Sequence, residues 1–207
     1  MSTERRTVVA SGRLPREERR AQIVRAAARA FLRGGFDGTS MEDVAREAGV
    51  TRLIVYRIFE SKQDLYRAVL EGVVAQLVEG FSPADRPVGS DGPDPESRGF
   101  SCRVLLTIAR RDPDAFRLFW VHAAHEPAYA EYQRQFRVLA DAYAASLLQR
   151  VIIDPSVTAW AAPTIVAHVY DAVISWLDHG DPAGDEEFVH RVGEGMHALV
   201  TAWASST

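Results

Sequence analysis

The sequence has a single cysteine, a single lysine and no unbroken apolar run near the length of a membrane span. Cys102 alone excludes an intrachain disulfide and a cysteine-rich metal centre, and cysteine usage this sparse fits a reducing, cytoplasmic setting. A membrane helix needs roughly 18 or more apolar residues in succession, so no span is expected. Residues 1–15 are polar and carry arginines without an apolar stretch, which argues against a secretory signal. Also missing are strand-like alternation, a repeat of fixed period, a glycine-rich phosphate loop and any nucleophile–base spacing. Nothing therefore points to an enzyme or to a cofactor.

The net charge is −4, but it is unevenly distributed. Of 24 Lys and Arg and 28 Asp and Glu in the chain, residues 1–67 hold 14 and 9, a balance of +5, which leaves 10 and 19, or −9, for residues 68–207. A basic head on an acidic body suits one end that meets DNA and another that avoids it.

Helical spacing runs through both parts. Residues 1–14, with Arg5, Arg6 and Arg13, show no periodicity and read as a flexible basic tail, able to reach a minor groove or to make no specific contact. From Pro15, residues Ile23, Ala26, Ala27, Ala30 and Phe31 mark one buried helical face that stops at Gly34-Gly35, and Phe36 follows as a core plug. Thr39 or Ser40 caps a second helix, with Asp43 placed for a capping box and Met41, Val44, Ala45 and Ala48 inward. Gly49 breaks it, and Thr51 caps a third helix to about Arg57. Ser61, with Asp64 three residues on, caps a fourth that carries Leu65, Val69, Val73 and Leu77. The stretch 82–97 holds four prolines and two glycines and reads as a loop. Further helices are expected at about 98–111, 113–125, 127–152, 155–178 and 185–204, with Pro113, Pro127 and Pro155 at their starts. The expected fold is all-α: a tail at 1–14, a three-helix DNA-binding domain at 15–60 and a helical domain at 61–207.

Residues 40–59 hold two short helices around Gly49, the spacing of a helix-turn-helix. At about 100° per residue, Thr51, Val55, Ile58 and Phe59 share an inward face of the second of these. Leu53, Tyr56 and Arg57 then point outward, with Arg52 and Ile54 at the edges; Leu53 and Ile54 also admit a core reading. Arginine can bond guanine edges and aliphatic groups can meet thymine methyls in the major groove.

The block Ile23–Leu70 resembles the TetR (tetracycline-repressor) family in Ile23-x-x-Ala26-Ala27, Phe31, Gly35-Phe36, Thr39-Ser40, Val44-Ala45, Ala48-Gly49-Val50, Tyr56, Phe59 and Ser61-Lys62-x-x-Leu65. The resemblance covers about the first third of the chain. It implies a homodimer on a pseudo-palindromic operator, acting as a repressor. Thr39 joins the DNA-facing set; Ser40, Thr51, Tyr56 and Lys62 become phosphate contacts, and Arg52, Leu53, Ile54 and Arg57 base readers. Leu53 stands where many relatives have a small residue, and Ile58 where many have histidine.

In the body, Phe116, Phe119 and Trp120 fall at i, i+3 and i+4, a spacing that usually means core. The resemblance implies a small-molecule cavity there, lined by Phe116, Phe119, Trp120, Phe136 and Tyr143, with His122, His168 and Asp171 as polar groups. A largely apolar or aromatic effector would fit such a site. Val173, Trp176 and Leu177 on one helix, and Phe188, Val192, Met196, Leu199 and Trp203 on the next, could build half of an intermolecular four-helix bundle. The pair His122-x-x-His125 could share zinc, but no third ligand is evident and Pro127 follows at once, so no metal is expected. The alternatives are a DNA-binding regulator without a small effector, and an all-α enzyme with a DNA-binding head.

Overall fold

The computed structural model describes residues 15–82, 98–123, 126 and 129–205, and among these it contains nine α-helices and no strand. The basic tail with Arg5, Arg6 and Arg13, the proline-rich stretch beyond Ser82, His125 and Pro127 lie outside the described residues.

Helix α1 (Arg16–Gly34) buries Ile23, Ala26, Ala27, Ala30 and Phe31 along one side. Glu17 and Glu18 in its first turn and Arg33 in its last complement the helix dipole. Helix α2 (Met41–Glu47) starts at Ser40, whose hydroxyl accepts from the Asp43 amide while the Asp43 carboxylate accepts from the Ser40 amide. Gly49 turns the chain with φ +64°, a left-handed conformation that costs a residue without Cβ little. Helix α3 (Arg52–Tyr56) follows, with Val55 buried. Helix α1 packs on α2, on α4 (Lys62–Gly80) and on α6 (Pro113–Arg117).

Helix α4 serves both parts. Its 19 residues run about 28 Å at 1.5 Å per residue. Leu65, Tyr66 and Leu70 are buried towards its start, and Val73 and Leu77 towards its end. The body adds α5 (Phe100–Arg111), α7 (Ala130–Leu148), α8 (Pro155–His179) and α9 (Asp185–Ala204). Helix α8 has proline in its first turn and Asp154 as its cap, accepting from the Ser156 amide at 2.8 Å. It is long and apolar enough to cross a membrane by length and composition alone, although polar residues interrupt its apolar runs. Here Ile165, Val169, Tyr170 and Val173 face the core. Three arginines tie α5 and its approach to α9: Arg98 to Glu194 at 2.9 Å, Arg103 to Glu186 at 2.5 Å and Arg110 to Asp185 at 2.7 Å.

Two expected helices differ in detail. The segment read as 113–125 is α-helical only to Arg117 and continues through Leu118–His122 as a wider π turn. Trp120, on that turn, lies flat on Tyr170 with ring centroids 3.4 Å apart. The segment read as 127–152 is helical over Ala130–Leu148.

Candidate DNA interface and body cavity

The reading helix is held from behind. Val55 and Phe59 are buried, and the Arg20 guanidinium sits 5.3 Å from the centre of the Phe59 ring. With that face fixed, Leu53 is 71% exposed and Tyr56 is 41% exposed. Arg52 lies along the same surface, its Nη2 3.3 Å from the Tyr56 hydroxyl and its guanidinium 5.2 Å from the Tyr56 ring centre. Arg57 is exposed at the C-terminal end of α3, and Ile54 is half-buried against the core. Aligned cationic, phenolic and aliphatic groups are what a major groove can engage.

Three residues assigned to the DNA side sit differently from the sequence reading. Thr51, expected to pack inward, is exposed, because it precedes α3 in extended backbone rather than joining its helical phase. Thr39 is buried, and its hydroxyl donates to the carbonyls of Gly35 at 2.8 Å and Ala30 at 3.1 Å, which ties the turn to α1. Lys62 points back into the protein: its ammonium donates to the Phe36 carbonyl at 2.7 Å and lies 4.4 Å from the Phe36 ring centre. Ser40 is exposed but engaged in its capping box. The Ser40 hydroxyl and amide, both donating to the Asp43 carboxylate, and the Arg46 guanidinium hold that carboxyl down at about 2.

Behind the head lies a joint made of aromatic rings. Tyr66 meets Phe31 at 4.9 Å, Phe36 at 5.2 Å and Tyr129 at 4.3 Å between ring centroids. Glu126 accepts from the Phe36 amide at 3.2 Å, and the Tyr129 hydroxyl donates to the Gln63 carbonyl at 3.2 Å. The Tyr66 hydroxyl is buried with no hydrogen-bond partner among the described residues, and burial pushes its pKa up. Sequence reasoning missed this joint, since Glu126 stood out only beside the histidine pair. Among the described residues no group of three potential metal ligands gathers.

The body holds a cavity of about 1140 Å³, at or above the upper end of ordinary small-molecule sites. Its walls come from the end of α4 (Leu77, Val78, Phe81), the start of α5 (Phe100, Leu105), α7 (Phe136, Leu139, Tyr143), the middle of α8 (Ile165, Val169, Tyr170) and α9 (Met196, Val200). Of the expected lining residues, Phe136 and Tyr143 are present. Phe116, Phe119 and Trp120 form a layer behind the wall, contacting Tyr170 or Phe136. Their i, i+3, i+4 stripe faces the core, the ordinary meaning of that spacing. His122 lies outside the lining on the π turn, and His168 and Asp171 are exposed on the outer side of α8. Cys102 is buried, its thiol pushed up to about 12 by desolvation, which leaves it without nucleophilic character.

The residues expected at a dimer surface divide. Val173 is fully buried within the chain. Trp176 donates to Asp185 at 2.7 Å and stacks on Phe188 at 4.7 Å, closing α8 on α9. Met196 turns to the cavity, and Leu177 and Val192 are half-buried. Leu199 is partly exposed, and Trp203 meets the exposed Trp160 edge-on at 4.8 Å.

Residues 23–69 match the family model described as bacterial regulatory proteins, tetR family. The chain is 29% identical over 182 residues to the HTH-type transcriptional activator FasR of Mycolicibacterium smegmatis, a match that spans 86% of this chain and 80% of that protein. These comparisons support a TetR-family transcriptional regulator, with residues 23–69 as its family segment. Similarity to the HTH-type transcriptional regulator TtgR of Pseudomonas putida is higher, at 44%, but covers 57 residues, 28% of this chain and 27% of TtgR. Solved structures extend the likeness to the whole fold. A TetR-like transcriptional regulator from Rhodococcus sp. RHA1 superposes with a TM-score of 0.76 at 20% identity, over 94% of this chain and all of that one. AibR, in complex with isovaleryl coenzyme A and operator DNA, superposes with a TM-score of 0.63 at 17% identity, over 87% of this chain and 97% of its own.

Proposed function

We propose that this DNA-binding regulator works as a homodimeric, cytoplasmic repressor that leaves its operator when a small ligand fills the body cavity. One observation carries the reading: α4 reaches both sites. Its first turn holds the back of the head through Lys62 and Tyr66, and its last turns line the cavity through Leu77 and Val78. A ligand that favours a different tilt of α4 moves the reading helix. Two such helices on a twofold axis must match about one helical turn of DNA, or a multiple, so a shift of a few ångströms loses the operator. Linkage then requires the ligand to bind the DNA-free protein more tightly, by the same factor as the operator affinity falls. The complex of AibR with both a ligand and operator DNA supports two such sites on one fold.

In this reading Arg57, Arg52 and Leu53 read bases, while Tyr56 and the exposed Ser40 and Thr51 meet phosphates. Leu199, Trp160 and Trp203 belong to the dimer surface. The test is titration of the protein onto DNA from upstream of its own gene. Arg57→Ala is expected to cost about 1–3 kcal/mol on operator and far less on random DNA. Equal losses on both would remove Arg57 from base reading. A second reading, activation, is favoured by the name of FasR. A promoter–reporter assay with and without the regulator separates the two by the sign of the change.

A further inference from the structure

Two helices present matching stripes to the body cavity. On α7 the lining residues Phe136, Leu139, Ala140, Tyr143, Ala144 and Leu147 recur at steps of three or four residues or close to it, and on α9 Gly193, Met196, His197, Val200, Thr201 and Ala204 do the same. Each set is one face of its helix. At 1.5 Å per residue, the stripe from Phe136 to Leu147 and the stripe from Gly193 to Ala204 each run about 17 Å. The part of α8 in the lining is shorter, Ile165 to Tyr170, less than two turns.

The two stripes run the same way. Helix α9 is antiparallel to α8, since Trp203 meets Trp160 at one end and Phe188 meets Trp176 at the other. Helix α7 turns into α8 through the short segment 149–154, so it too runs against α8. The cavity is therefore a slot with its long axis along α7 and α9. Ties at the edges hold these walls in place. Arg137 donates to the Pro163 carbonyl at 2.9 Å and to Asp141 at 3.0 Å, and Arg110 joins α5 to α9 through Asp185. Apolar walls without a partner forfeit dispersion contacts, and a molecule of matching shape restores them.

The slot offers no unpaired charge among the described residues. Its lining contains no Asp or Glu. Arg98 is bound to Glu194 at 2.9 Å, and Arg150 is also partnered. His197 Nε2 lies 3.1 Å from Arg98 Nη2. An ion moved among these walls would lose its hydration with no countercharge to replace it.

We propose that the cavity takes an elongated, uncharged, lipid-like molecule lying lengthwise between α7 and α9. This deepens the reading of the body as an effector site, and rests on it only for the consequence to DNA binding.

Straight-chain primary alcohols test it: hexanol, octanol, decanol and dodecanol, titrated calorimetrically below their solubility limits into the full-length protein without DNA. Affinity is expected to rise about tenfold with each pair of added methylenes, through to dodecanol. Adamantanol, as many carbons as decanol in a compact cage, is expected to bind about tenfold or more weaker than decanol, as are decanoate and decyltrimethylammonium. Ala144→Phe puts a ring midway along the α7 stripe. It is expected to stop the rise at octanol while changing hexanol by less than about threefold. A variant that only loosens the fold would weaken every alcohol alike. Val200→Phe blocks the slot from the opposite wall and serves if Ala144→Phe does not fold. A rise that ends at octanol in the parent, adamantanol or either ion binding as tightly as decanol, a rise through to dodecanol in the blocked variants, or no binding of dodecanol would overturn the proposal. Sedimentation of the decanol-saturated protein should match that of the protein alone; dissociation would show that a second copy occupies the slot, and would overturn it too. Operator release is scored separately. Dodecanol binding with this length dependence but without release defeats the effector-controlled reading alone, whereas release by decanoate as readily as by decanol defeats the uncharged slot alone.

Discussion

In the head, α1 packs on α2, and Ala26, Ala27, Ala30, Phe31, Val44, Ala45 and the capping Ala48 are all buried. In the body, α4, α5, α7, α8 and α9 stand around a cavity of about 1140 Å³. Small residues let helices approach until little space remains, and the resulting block presents its outer side chains rigidly. The body keeps its helices apart with Phe100, Phe136 and Tyr143 and links them at the periphery with ion pairs such as Arg110–Asp185. A rigid part suits reading a fixed surface such as the DNA groove. A part with space inside can trade one packing for another at small cost, which suits sensing.

The sharpest break of this comparison is a pair of truncations. Phe31→Ala opens a void in a filled core and is expected to cost about 3–5 kcal/mol in chemical denaturation. Phe100→Ala enlarges a void that already exists and should cost less than about half as much. Comparable losses would mean that the cavity wall is packed as tightly as the head.

Additions should divide the two parts by sign. Ala45→Leu overpacks the head and is expected to cost about 1–3 kcal/mol. Ala144→Leu projects into the cavity and should be neutral, or stabilise by about 0.5–2 kcal/mol. It should also weaken any ligand that uses that space. Denaturation midpoints for both variants decide this, and the comparison fails if Ala144→Leu destabilises as much as Ala45→Leu.

The head also has a local lock. Ser40→Ala removes the α2 cap and is expected to cost about 1 kcal/mol of stability. The sign with pH follows from Asp43, held at about 2 against an ordinary 3.8, first by the Ser40 hydroxyl. A lowered pKa adds stability that is present above the unfolded value of 3.8 and fades as pH falls towards 2. The gap between parent and Ser40→Ala should therefore close over that acid window. A gap that stays constant in urea titrations down to pH 2 would remove Asp43 from the lock.

The smallest effect belongs to the joint. Tyr66→Phe deletes a buried hydroxyl that has no partner among the described residues and is expected to stabilise the protein by up to about 1 kcal/mol. Loss of stability instead would show that the hydroxyl is bonded.

The head was legible in the sequence because its determinants are local. The Ser40–Asp43 cap, the Gly49 turn and the alanine face of α1 each lie within a few turns of chain, where helical phase predicts burial. Thr51 escaped that phase by standing one residue before the helix. Lys62 escaped because its carbonyl partner, on Phe36, comes from a turn 26 residues back. The body was legible as helices but not as a site. Its lining joins Phe81, Tyr143, Val169 and Met196 from four separate helix segments, and no periodicity within one helix announces such a meeting. The aromatic stripe of Phe116, Phe119 and Trp120 was visible for the same local reason that it was misplaced: a stripe reports a buried face, and here the face backs the wall rather than forming it.

Lys62 has a practical consequence outside DNA binding. It is the only lysine in the chain, and its amine is committed to the Phe36 carbonyl at the joint between head and body. Apart from the terminal amine, any amine-selective reagent thus has one address. In the proposed response to an effector, α4 moves away from the Phe36 turn and frees the amine from that carbonyl, so acylation of Lys62 is expected to speed up. The rate of acylation at a single residue then becomes a clock for that proposed change, readable by mass without a mutation or an added label in the protein.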